Sequence, residues 1–191
     1  SAASDVYKRQ PRRAIRQRIA LAPEDRKDAG IIPQLSVREN IVLALQARRG
    51  WLRRIDRREQ LAIADRFIKA LRIATTDTEK PVAGLSGGNQ QKLVIGREMA
   101  ASPRLLIAAH PTRGIDVGAQ AAVWEELRTA RRDGLAVLLI SADLEELLGL
   151  ADRLVVMLRG RVVAELDPGA TTPRLLGGYM TGAEDVTGDE E

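Results

Sequence analysis

Cysteine is absent from this 191-residue chain, and histidine occurs once, at position 110. Disulfides and thiolate metal sites are thereby excluded, and the lack of cysteine accords with a reducing cytoplasm. Aromatic residues make up 3% of the chain, so aliphatic side chains must do the packing. The stacking platform that single-strand nucleic-acid binders use is missing with them. No apolar run approaches the length that spans a bilayer, and no signal peptide is visible. Any membrane association would have to come through a partner. The G-x-x-x-x-G-K-[S/T] loop, whose backbone amides and lysine grip the β- and γ-phosphates of a nucleotide, occurs nowhere.

What is present suits a globular piece. With 45% hydrophobic residues, a chain of this length buries a respectable core as one domain with a subdomain. Two stretches are strongly basic, Lys8 to Arg18 and Arg48 to Arg58. A solvated helical face is their first reading, because arginine is frequent throughout. Proximity to anionic lipid headgroups ranks second, and nucleic-acid binding a distant third. Residues 1–10 are set aside as a leader, either a cloning or assembly scar or a flexible native terminus. Residues 184–191 read as an acidic, disordered tail.

Ser36-Val37-Arg38-Glu39 fits a capping box that opens a helix through Ile41, Leu43 and Leu45. Asp56 to Ile73 follows as an amphipathic helix, with Leu61, Ala64, Ile68 and Leu71 predicted on its apolar face. The most informative stretch comes next: Leu85-Ser86-Gly87-Gly88-Asn89-Gln90-Gln91-Lys92. Its glycines let the backbone approach a ligand, and Ser86 offers a hydroxyl. The free N–H groups of the helix that follows point at negative charge. The plainer alternative is a glycine-rich turn in which Ser86 merely caps a helix. Downstream, Arg104 to His110 reads as a strand buried on both faces. A helix then runs through Val123 to Leu127 and stops near Gly134, and Leu135 to Ile140 forms another strand. Leu154 to Leu158 and Arg161 to Leu166 make a hairpin across Arg159-Gly160.

The 85–92 stretch resembles the signature of ATP-binding-cassette (ABC) ATPases. In that family it opens a helix and grips the γ-phosphate of an ATP held mainly by a different domain. Pro111-Thr112-Arg113-Gly114-Ile115-Asp116-Val117-Gly118-Ala119 is similar to the D-loop after the Walker B strand, with Asp116 in the D-loop position. Ser141 to Leu147 resembles the switch segment. The resemblance covers about residues 12 to 180. It is nearest to the second nucleotide-binding domain of fused ATPases that drive simple-sugar and nucleoside importers. Asn89-Gln90-Gln91-Lys92, Pro111 to Gly118 and Ala22-Pro23-Glu24-Asp25-Arg26-Lys27 carry it.

The resemblance implies an α/β P-loop NTPase-like fold, amino-terminally truncated, with a helical subdomain. The expected layout is residues 11–35 as the end of the core with the Q-loop region, 36–84 as the helical subdomain, and 85–183 as signature helix, parallel-sheet core and hairpin. It also implies departures. The Walker B acids, which hold Mg²⁺ and polarise the attacking water, are replaced by Ala109 and His110. The switch position is Ala142 and the Q-loop position is Glu24. His110 is either a general base or a histidine merely accommodated beside a strand, and the second reading leads. The expectation is a degenerate half-site, inactive alone, whose Leu85, Ser86, Gly87, Gly88, Asn89 and Gln90, with Asp116, contact an ATP (with Mg²⁺) on a partner domain. The partners implied are a first nucleotide-binding domain of the same original chain, transmembrane permease subunits and, indirectly, a substrate-binding protein. The implied location is the cytoplasmic face of the inner membrane. Rivals are a non-hydrolytic regulatory module and an ABC protein of DNA repair or translation. Sugar or nucleoside cargo stays open, with a slight lean to nucleoside.

Overall fold

The computed structural model describes residues 11–50 and 52–183. The leader at 1–10, the tail at 184–191 and Trp51 of the second basic stretch lie outside the described residues. The chain divides after Ile140 into two compact units, within the stretch expected as one piece from 85 to 183.

The first unit runs α1 (Pro11–Arg16), β1 (Ile19–Ala22), a single helical turn (Arg26–Gly30), α2 (Val37–Arg49), α3 (Arg57–Ala70), a short 3₁₀ turn (Val82–Gly84), α4 (Gly87–Ala100), β2 (Leu105–Ala109), α5 (Val117–Arg132) and β3 (Ala136–Ile140). The three strands pair in parallel in the order β1-β2-β3, with Leu21 beside Ile107 and Ile107 beside Leu138. Strands this apolar and this short suit a sheet buried by helices. Ala20, Ala22, Leu106 and Ala108 are buried, so β2, read from the sequence as buried on both faces, is fully buried on one only. On the opposite face Leu21, Leu138 and Ile140 remain about half exposed, at 51%, 51% and 48%. The strand predicted from Leu135 starts one residue later, and Leu135 is buried at its entrance.

Local chemistry sets the helix starts. The Ser36 hydroxyl accepts from the Glu39 N–H, and a Glu39 carboxylate oxygen accepts from the Ser36 N–H at 2.9 Å, so both halves of the predicted capping box form. Asp56 caps α3 by accepting from the Glu59 N–H. The predicted apolar face of α3 forms, with Phe67 added to it. Ala64 and Phe67 are fully buried, and Leu71 follows just past the helix, whereas Leu61 and Ile68 are only half buried. The bulky Phe67 centres the face because it packs where α4 carries no side chain, at Gly96.

α4 is buried almost all round, from Gln90 through Arg97 and again at Met99. It packs on α2, α3 and β1.

The second unit holds α6 (Leu144–Leu150), β4 (Leu154–Leu158), β5 (Arg161–Leu166), a 3₁₀ turn (Pro168–Ala170) and α7 (Pro173–Thr181). β4 and β5 form the predicted antiparallel hairpin, and Arg159 and Gly160 at its tip both have positive φ, 50° and 79°. That pair of angles matches the right-handed twist of the strands it joins. Leu154, Val156 and Leu176 make the core of this unit.

Candidate functional site

Ser86 stands just before α4 with φ −61° and ψ 155°, the extended geometry of an N-cap. Its hydroxyl accepts from the Asn89 backbone N–H and from the Asn89 side-chain amide at 2.9 Å. The Asn89 carbonyl oxygen in turn accepts from the Ala74 N–H at 2.8 Å, tying the first turn of α4 to the chain leaving α3. Gln90 is buried and donates to the carbonyls of Val82 and Leu85, at 3.3 and 3.1 Å, which holds the segment entering the helix. Asn89 and Gln90 therefore shape the site, while Ser86 is exposed at its tip and Leu85, Gly87 and Gly88 are half buried. The first backbone N–H groups of α4 have no acceptor within the helix, and its dipole makes that end electropositive.

Each glycine of the motif receives a neighbour. A Cβ at Gly88 would lie 3.3 Å from Cγ2 of Ile115, and one at Gly87 would lie 2.5 Å from Nη2 of Arg26. The turn that carries Ile115 is built by Gly114 in the left-handed region, φ 70°, and by the Arg113 N–H donating to the His110 carbonyl at 3.1 Å. Asp116 ends this turn by capping α5, its carboxylate accepting from the Ala119 N–H at 2.9 Å. Burial pushes the Lys92 ammonium below its ordinary pKa, against the opposing attraction of Asp116. The Lys92 ammonium donates to the Arg72 carbonyl.

Glu24 is ion-paired to the Arg113 guanidinium, both side chains being largely solvated. Ala109 ends β2 in register with Ile140, and His110 follows with φ 48° and donates its N–H to the Ile140 carbonyl at 2.7 Å. A non-glycine residue in that left-handed conformation is uncommon. Among the described residues, no cluster of three or more His, Cys, Asp or Glu side chains is arranged to hold a metal. Ala142 is exposed and belongs to the second unit, just before Asp143 caps α6. Glu24, the 85–90 stretch, Ala109, His110 and Asp116 all lie in the first unit.

Two residues of the quoted motifs, not assigned to the site from the sequence, stand out here. Arg26, whose Nε is buried without a partner, lies against Gly87 and near Gly114. Gln91 is fully buried with neither amide atom hydrogen-bonded to protein. Both lie in stretches that carry the family resemblance, Ala22 to Lys27 and Asn89 to Lys92, but no spacing in the sequence gives either a role of its own.

The sequence pattern of the family described as ABC transporter matches residues 2–113, more than half of the chain. The chain belongs to the ABC transporter family. Its relatives include the galactofuranose transporter ATP-binding protein YtfR of Escherichia coli K12, 54% identical over 83% of this chain and 32% of that protein. The fructose import ATP-binding protein FruK of Bifidobacterium longum is 43% identical over 82% of this chain and 31% of its own length. The ribose import ATP-binding protein RbsA of Yersinia pestis is 41% identical over 95% of this chain and 35% of its own length. The chain thus spans about a third of the length of the curated relatives it matches. Among solved structures, the dimeric ATP-binding cassette MJ0796 bound to ADP and Pi superposes with a TM-score of 0.70 at 23% identity, covering 80% of this chain and 64% of that one. That likeness establishes the ABC ATPase fold. No described helix is long and apolar enough to cross a membrane.

Proposed function

We propose that this chain is part of the second ATPase domain of a sugar importer and lends its signature to an ATP held by a partner domain. The observation that carries the reading is the N-terminus of α4. Ser86 is exposed there, on a helix whose first turn is fixed through Asn89 and through the contacts of Gly87 and Gly88. Donors held rigidly at a positive helix end suit a phosphate delivered from outside. The matched relatives are named for the import of galactofuranose, fructose and ribose, which favours a sugar over a nucleoside as cargo.

In this reading the chain's own half-site does not hydrolyse ATP. Ala109 has no ligand to offer Mg²⁺, and His110 carries no fixed negative charge where the family places its water-polarising acid. Glu24, Ser86, Gly87, Gly88 and Asp116 are the residues we assign to the composite site, with Asn89 and Gln90 supporting them. The partners are the phosphate-loop-bearing first domain and membrane permease subunits contacting the helical stretch 36–84 at the cytoplasmic face of the membrane. Ser86→Arg in the full-length ATPase, assembled with its permease, abolishes substrate-stimulated turnover, because a bulky cation fills the place of the phosphate. Normal turnover in that variant contradicts the assignment.

A further inference from the structure

We infer that Arg26 is a positioning residue, one that holds the turn bearing Asp116 against the first turn of the signature helix. This rests on the function proposed above for that helix, and its own structural test stands apart from it.

Arg26 is delivered by a stiff device. Asp25 caps the single turn Arg26–Gly30, accepting from the N–H groups of Lys27 at 2.9 Å and Asp28 at 3.2 Å. The far end of the turn is anchored on α4. A Cβ at Gly30 would stand 3.0 Å from Cγ2 of Val94, and the Arg97 guanidinium donates to the Gly30 carbonyl. From this base the Arg26 guanidinium reaches three places. Its Nη2 lies against Gly87, where a Cβ would come within 2.5 Å. Its Nη1 donates to the Arg113 carbonyl at 3.5 Å, a long hydrogen bond, and lies 3.7 Å from the place a Cβ would take at Gly114. Its Nε is enclosed without a partner.

The neighbouring Glu24 carboxylate completes the device by accepting from the Arg113 guanidinium. Residues 24 and 26 thus grip residue 113 by side chain and by backbone at once. Only a planar, forked cation spans Gly87 and the Arg113 carbonyl together; lysine is a point charge on a flexible stem and does not. Glycine at 87 is accounted for in the same way, since a side chain there takes the space of the guanidinium.

The test is hydrogen exchange on the 191-residue chain, with Arg26→Ala, Gly87→Ala and the double variant. Each single change is expected to speed exchange of the hydrogen-bonded amides of this turn, Ile115, Ala119 and Gln120, about tenfold, leaving Leu93 to Ile95 unchanged. The double variant is expected to be no worse than either single one, because both remove the same contact. Unchanged exchange at Ile115, Ala119 and Gln120 in Arg26→Ala overturns the inference, as do additive effects or equal acceleration at Leu93 to Ile95. In the full-length importer, Arg26→Ala lowers turnover about tenfold and Arg26→Lys does not restore it. Failure of the signature reading shows separately, as normal turnover in Ser86→Arg while the exchange result stands.

Discussion

Gly96 in α4 faces Phe67 in α3: a Cβ on Gly96 would stand 3.2 Å from Cβ of Phe67 and 3.1 Å from Cδ1 of Leu71. The signature helix sits this close to its neighbour because one of its residues has no side chain. Gly96→Ala has a small net effect, since a few tenths of an ångström of adjustment is set against a gain in helix propensity of about 1 kcal/mol. Gly96→Val overfills the contact and lowers stability by about 1–3 kcal/mol. Urea denaturation of the two variants beside the parent chain checks the ordering.

Acid sensitivity follows from two carboxylates on the helical stretch. Hydrogen bonds from Ser36 hold the Glu39 pKa below its ordinary value. The bidentate bond from Arg38, at 2.7 and 2.9 Å, does the same for Glu79. Each therefore stabilises the fold above its unfolded pKa of about 4.3, and that contribution is lost as pH falls through the depressed folded value. Glu98 acts in the opposite direction, its burial raising the pKa so that its ionisation disfavours the fold as pH rises. Both Glu39 and Glu79 are partly solvated, so the effect of each is modest. The urea midpoint is expected to decline between about pH 5 and about pH 3, and to decline less in Glu39→Gln.

How much of this was legible in the sequence depended on how local each feature is. The capping box at Ser36 and Glu39 and the hairpin around Arg159 and Gly160 are decided within a few residues, and they form as read. The apolar face of α3 was legible from its spacing, but the burial of Phe67 was not, because it depends on Gly96 of another helix lying opposite. The contact of Arg26 with Gly87 and the Arg113 carbonyl joins three distant stretches, so no spacing in the sequence announces it. The motif at 85–92 was visible, but the inward use of Asn89, bonded to Ser86 and Ala74, was not. An amide side chain near a helix start gives no local sign of whether it faces a ligand or the scaffold.

The 191-residue chain, purified alone, is expected neither to bind ATP tightly nor to turn it over, because it contains no phosphate loop and no acid at positions 109 and 110. Equilibrium binding of a fluorescent ATP analogue and a phosphate-release assay test both points. In the full-length protein, His110→Ala leaves turnover within about twofold of the parent, since no general base is lost. A large loss there would assign His110 a part in the chemistry.

Under the proposed function, Ser86 meets the γ-phosphate of an ATP bound by another domain. The most direct measurement places cysteine at Ser86 in the full-length ATPase and adds an ATP analogue carrying a thiol-reactive group on its γ-phosphate. Covalent labelling at position 86 is expected, and it disappears when the phosphate-loop lysine of the first domain is replaced. Absence of labelling in the intact protein, or labelling that survives loss of that lysine, contradicts it.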